Sequence, residues 1–320
     1  MTQPLNYTPK AIEALLSHAD SPTCPPGIRA GMRYIAGKLR EAVVFQLSDH
    51  GQLLDRSRPR PEVPGHLFRP PFPVVALEYP GATTDWGLGV YDAAKCSRRI
   101  ALAWEWSSDL PTELRSWTQP SLSDGVVIAS VAYFDAQQTW FPIGIAMHLP
   151  YDGEWIEKPK TAFQSAMVKA GRMSPKVAQS RSLGGAPIGL LPEGIVESFR
   201  TYGSMDIVND ALMADLMDEA SAYLDLCYAL ACKNVAPRKY AAPKNLNRNR
   251  FKAGKISLKD FYVLELAGGE GAGMPGSGGG ASPRSHLRRG HIRRLDPRRI
   301  TWVNSTIVRG RGFVDKVYSI

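Results

Sequence analysis

The chain has 320 residues, of which 44% are hydrophobic and 22% charged, enough apolar material for a sizeable core and too much for a disordered chain. No uninterrupted apolar stretch reaches the length of a membrane helix, and the opening MTQPLNYTPK lacks the basic and apolar regions of a secretory signal. The net charge of +9 conceals a division: residues 233–320 carry 19 Lys/Arg against 5 Asp/Glu, whereas residues 1–232 carry 20 against 25.

The expected location is therefore cytoplasmic. Cysteine usage agrees, since Cys24, Cys96, Cys227 and Cys232 form no CxxC pair and read as reduced thiols rather than zinc ligands. No metal and no cofactor is expected. The charge division predicts a mildly acidic α+β body over residues 1–232 and a basic region over 233–320. A concentrated positive field of that kind suits an anionic partner, because it raises encounter rates with phosphate backbones.

Taken in chain order, residues 8–18 read as a helix with Ile12, Leu15 and Leu16 in a short stripe. A second helix is predicted from 26 to about 45, with Pro26 in its first turn and Ile28, Met32, Ile35 and Leu39 at helical spacing. Residues 56–73 (RSRPRPEVPGHLFRPPFP) are too rich in proline for a regular interior element and read as a loop or an extended brace. Strands follow at 74–79, 86–91, 98–106, 125–134 and 140–149, with 152–156 as a short continuation. Their hairpin-like spacing points to an antiparallel or mixed central sheet with packed helices.

Short helices are predicted at 161–170 and 192–202. The longest helical pattern runs from 205 to 232. There Leu212, Leu216, Ala220, Leu224, Cys227 and Ala231 share one arc, while Asp215, Asp218, Glu219 and Asp225 fall opposite, as expected of a solvated face. Beyond it, 236–250 reads as basic and turn-rich, and 256–266 as a strand or short helix. Eight glycines among residues 268–280 make a Gly-rich insertion, with no GK[ST] to suggest a phosphate loop. Strands at 256–266 and 300–308 can pair across it.

Seven arginines lie within residues 284–299: Arg284, Arg288, Arg289, Arg293, Arg294, Arg298 and Arg299. His286 and His291 are interleaved with them, and Arg309 and Arg311 follow a predicted strand at 301–308. A guanidinium holds phosphate bidentately and stacks on an unpaired base, so these eleven residues are the candidate nucleic-acid contacts. Trp302, Phe313 and Tyr318 add aromatic faces. His286 and His291 are also the candidate acid–base pair of a metal-independent ribonuclease, because histidine titrates in the right range. The plainer alternative has both histidines packing beneath a phosphate-binding surface. Elsewhere, Glu78, Asp92, Glu105 and Asp109 lie near predicted strands, where they either converge on a site or line a solvated face.

Four stretches resemble a family encoded by phages and other mobile elements, whose best-known member is a type V-A anti-CRISPR protein. They are HLRRGHIRR at 286–294, ITWVNSTIV at 300–308, FPVVALEYP at 72–80 and AYLDLCYALACKNVAPRK at 222–239. The family's histidine, paired arginines, glycine and histidine match His286, Arg288, Arg289, Gly290 and His291, whereas Ile292 stands where the family commonly has an aromatic residue. The resemblance covers, in patches, much of residues 26–320. It implies an inhibitor that engages the newly made polypeptide of a host defence nuclease and lowers its messenger. The acidic body would then meet the nascent chain, and the basic end RNA or the ribosome, in the cytoplasm of a bacterial host. Two other functions remain open on the residues alone: the ribonuclease and a structural phage protein.

Overall fold

The computed structural model describes residues 5–81, 95–118, 122–158, 160–266, 286–288, 291–296, 299–303 and 306–308. The fold is α+β, built on a mixed eight-stranded sheet with helices packed on both faces. Two helices open the chain, α1 (Tyr7–Ala19) and α2 (Pro26–Glu41). The predicted second helix stops four residues early. At Ala42 the backbone turns extended, and Val43–Gln46 forms β1. The run VVFQ is β-branched and aromatic, and it gains more by pairing on both sides inside the sheet than by prolonging a helix.

The following strands are β2 (Val74–Pro80), β3 (Arg98–Glu105), β4 (Gly125–Phe134) and β5 (Thr139–Pro150), a run of antiparallel neighbours close to the predicted bounds. The short helix α3 (Thr112–Arg115) lies between β3 and β4. The predicted strand at 86–91 lies outside the described residues. β6 (Trp155–Glu157) does not continue the main sheet as expected. Past α4 (Ala162–Lys169) and α5 (Pro175–Ala178) it finds its own partner, β7 (Arg181–Leu183). β8 (Ala186–Gly189) then closes one edge of the sheet, and α6 (Pro192–Tyr202) and α7 (Met205–Leu230) follow.

The opposite edge comes from the basic region. β9 (Val235–Tyr240) and α8 (Lys244–Lys252) replace the predicted turn-rich stretch, and β10 (Phe261–Leu266) runs parallel to β1. The sheet order is β8-β5-β4-β3-β2-β1-β10-β9, so two strands beyond residue 232 complete the sheet of the acidic body. β10 pairs with β1 and β9 and not with residues 300–308, because the buried Phe261 stacks on Tyr240 and packs in the core beneath α1 and α2.

Alternation along the strands separates two apolar layers. Ala76, Ile100, Leu102, Trp104, Val127 and Ala129 face α1 and α2, where Ile12, Leu15, Ile35 and Leu39 are fully buried. Val75, Leu77, Ala101, Ala103, Val126 and Ile128 face α7. Replacing any one of these fully buried leucines by alanine costs about 2–5 kcal/mol.

The proline-rich segment is the crossover between the parallel strands β1 and β2, and it covers the α7 side of the sheet. Its carbonyls at Pro61, Val63 and Phe68 accept hydrogen bonds from Tyr228, Trp155 and Tyr223. Phe68, Val63 and Leu54 are buried beneath it. It is a brace, as its composition suggests, because a segment with few amides to satisfy can be held through its carbonyls and its side chains.

Helix ends are secured from far along the chain. Asn6 precedes α1 in a left-handed conformation with no side-chain cap, and the Glu78 carboxylate on β2 instead accepts the Thr8 N–H at 2.7 Å. Glu193 does the same for Gly27 in the first turn of α2 at 2.8 Å, and Lys259 Nζ donates to the Arg40 and Ala42 carbonyls at the other end of α2. Each places a charge where a helix terminus favours it.

Candidate nucleic-acid interface

The arginine-rich end forms two separate ladders. β11 (His286–Arg288) pairs with β14 (Thr306–Val308), and β12 (His291–Asp296) pairs with β13 (Arg299–Val303). His286 stands opposite Val308 and Arg288 opposite Thr306 on the first, while His291 stands opposite Val303, Arg293 opposite Thr301 and Arg294 opposite Ile300 on the second. Arg299 pairs with Asp296 across a register shift that follows Arg294. The single predicted strand at 301–308 is thus divided between two partners. The two candidate histidines sit on different ladders. Arg284, Arg289, Arg298, Arg309 and Arg311 lie outside the described residues, as do the Gly-rich insertion and the aromatic residues Phe313 and Tyr318.

Residues 233–266 hold nine Lys/Arg against two Asp/Glu, and the structure divides these cations by use. Four serve the fold. Arg238 pairs with Glu265 at 3.2 Å and lies over the Tyr240 ring, and Lys239 pairs with Asp260 at 2.9 Å. The Asp260 carboxyl is held below its ordinary range by the Ala242 N–H and by Lys239. Arg250 meets Glu13 at 2.8 Å and donates to the Ile256 carbonyl, and Lys259 caps α2. Burial draws the Lys259 ammonium below its usual value, with Glu78 and Glu41 opposing. The other five, Lys233, Lys244, Arg248, Lys252 and Lys255, are exposed and have no ion-pair partner among the described residues.

Three of those five are on α8. Asn247 anchors the helix by a reciprocal pair of bonds, Nδ2 to the Leu258 carbonyl at 2.9 Å and Oδ1 from the Leu258 N–H at 2.7 Å. Arg250 anchors the next turn, and Gly254 at φ +66° ends the helix in the left-handed region. About 100° per residue puts Phe251, Lys244, Arg248 and Lys252 in one arc that begins beside Asn247, with Asn245 and Asn249 continuing it and Leu246 on the other flank, and all seven are exposed. Phe251 is 79% exposed, the most open of the large apolar side chains among the described residues. Proline and asparagine around 237–249 made this segment read as turns. A usable signal was nevertheless present, since Lys244, Arg248 and Lys252 recur at four-residue spacing with Phe251 between the last two.

Other charged groups are consumed inside the fold. Glu219 on α7, expected on a solvated face, is fully buried and takes Arg99 of β3 bidentately, at 2.6 Å to Nε and 3.2 Å to Nη2. Asp225, equally buried, receives Arg60 at 2.7 Å and Arg56 at 3.4 Å, and Asp218 receives Arg56 at 3.2 Å. The expectation fails because α7 is covered by the sheet on one side and by the proline-rich brace on another. Burial pushes the Asp215 carboxyl up to about 6 although Arg99 pulls it down. Burial opposes the charge of Arg99, and the Glu219 carboxylate more than restores it, leaving the guanidinium above its ordinary value.

Of the loosely grouped carboxylates of the strand region, the described ones, Glu78, Glu105 and Asp109, do not converge. Glu78 is buried under α1, where burial raises its value and the first-turn amides of α1 lower it. Glu105 pairs with Arg69 at 3.4 Å near the far end of β3, and Asp109 accepts from Ser107. Asp92 is outside the described residues. Among the described residues no group of three His, Cys, Asp or Glu is placed to hold a metal, and Cys96, Cys227 and Cys232 are free thiols in the core. No helix among the described residues is long and apolar enough to cross a membrane.

The class defined by these features is an α+β protein of mixed sheet, in which five exposed cations on and beside α8 have no ion-pair partner among the described residues. Comparison with protein-family models, with curated proteins and with solved structures finds no match for this chain.

Proposed function

We propose that this protein is an RNA-contacting regulator, an inhibitor of the anti-CRISPR-like kind its sequence resembles, which lowers expression of a host target. The observation that carries the RNA contact is the set of exposed cations on and beside α8 that lack carboxylate partners, in a region of net charge +14. Exposed cations without an ion-pair partner among the described residues occur on the body as well, Lys10, Arg40, Lys95 and Lys169 among them, but on α8 three of them share one short helix, and that clustering suits a phosphate backbone. The arginines of residues 284–311 belong to the same stretch of sequence and add to its positive charge. The acidic body is the part proposed to meet a protein partner, a newly made polypeptide by the family resemblance.

The test is a filter-binding titration of purified protein with labelled RNA at several salt concentrations. Affinity should fall steeply between about 50 and 200 mM salt, with a log–log slope near −0.7 for each single-strand phosphate neutralised. Absence of association at the lowest salt would overturn the reading. Crosslinking in cells, followed by recovery of bound RNA and nascent chains, then identifies the messenger engaged.

A further inference from the structure

We propose that α8 grips single-stranded RNA, with the Phe251 ring stacked on an unpaired base and Lys244, Arg248 and Lys252 on the flanking phosphates. This deepens the RNA reading above and rests on it. The outer face of α8 combines three cations without carboxylate partners, two asparagines able to bond base edges, and one open aromatic ring. The ring is what selects the strand. A base in a duplex hides both faces in the stack, so a side chain projecting from a helix reaches a base face only where the strand is unpaired.

Rival occupants fit less well. A lipid surface needs a broad apolar face, and α8 exposes only two large apolar side chains, Leu246 and Phe251, on different flanks among its cations. A second copy of the chain would set like charges against each other. The inner face is fixed by Asn247 to Leu258 and by Arg250 to Ile256 and Glu13, so the contact residues are presented on a helix that is already ordered, which lowers the cost of binding.

The experiment uses the full chain and fluorescence anisotropy with three probes: a short labelled oligouridylate, an RNA duplex of the same length, and a labelled polyglutamate peptide. Phe251→Ala should weaken oligouridylate binding about 5- to 100-fold, leave the duplex unaffected, and keep both the salt slope and the thermal unfolding midpoint of the parent. Phe251→Tyr should restore the affinity. Alanine at Lys244, Arg248 and Lys252 together should weaken both RNA probes and make the salt slope shallower by about 0.7 per lost contact. If Phe251→Ala binds oligouridylate as the parent does, or loses duplex and single strand equally, the stacking proposal is wrong while RNA binding stands. If the parent binds neither RNA at low salt, both readings fall. If the polyglutamate peptide is the probe that depends on Phe251, the surface docks protein instead and the proposal is overturned.

Discussion

Helices α7 and α8 are both dense in charge, and they use it in opposite ways. On α7 the carboxylates of Asp218, Glu219 and Asp225 turn inward and meet Arg56, Arg99 and Arg60, residues more than 100 positions away in the chain. On α8 the cations Lys244, Arg248 and Lys252 turn outward and meet no carboxylate among the described residues. The contrast teaches that a run of like charge means little until its partners are known. Buried and matched, it locks a helix between a sheet and a brace. Exposed and unmatched, it stays open to solvent.

The largest expected effect lies on the buried side of that contrast. Arg99→Met removes the one guanidinium facing a fully buried Glu219 and should cost about 3–5 kcal/mol in urea unfolding. Adding Glu219→Leu should recover much of the loss, since an apolar pair of similar volume does not leave a charge stranded. A single variant as stable as the parent would show that the α7 carboxylates are not held by their arginines, and the comparison would collapse.

A pH titration of stability sharpens it further. The Asp215 carboxyl stands at about 6 in the folded chain, above its ordinary 3.8, so the protonated form is the one folding prefers. Its contribution is complete below about pH 4 and is lost as pH rises through 6. Asp215→Asn should therefore be more stable than the parent at neutral pH by about 2–3 kcal/mol, with the gap closing on acidification. Parallel pH profiles for the two proteins would show that Asp215 is solvated after all.

The smallest effect belongs to α8. Glutamate at Lys244, Arg248 or Lys252 should each change stability by no more than about 0.5 kcal/mol, because an exposed unpaired cation holds nothing in place. The same changes should reduce RNA retention on filters. A loss of several kcal/mol at any one of them would mean that these cations belong to the fold as Arg250 does.

The amino-acid sequence by itself determined the elements whose pattern is local: β2, β3 and β4 from their runs of β-branched and aromatic residues, α1 and α7 from their helical spacing, the brace from its proline content, and the segregation of positive charge beyond residue 232. These follow from one-dimensional signals, since periodicity and backbone preference are properties of neighbouring residues. Only the tertiary structure decided the rest. It turned 43–46 into a central strand by supplying pairing on both sides, and it buried Glu219 and Asp225 by bringing Arg99, Arg56 and Arg60 to them. It capped α1 and α2 through Glu78, Glu193 and Lys259, and it left α8 with an unpaired outer face. The physical reason is the same in each case. The free energy of a charge or a helix end depends on which opposite charge or polar group stands within a few ångströms, and here that group comes from a distant part of the chain.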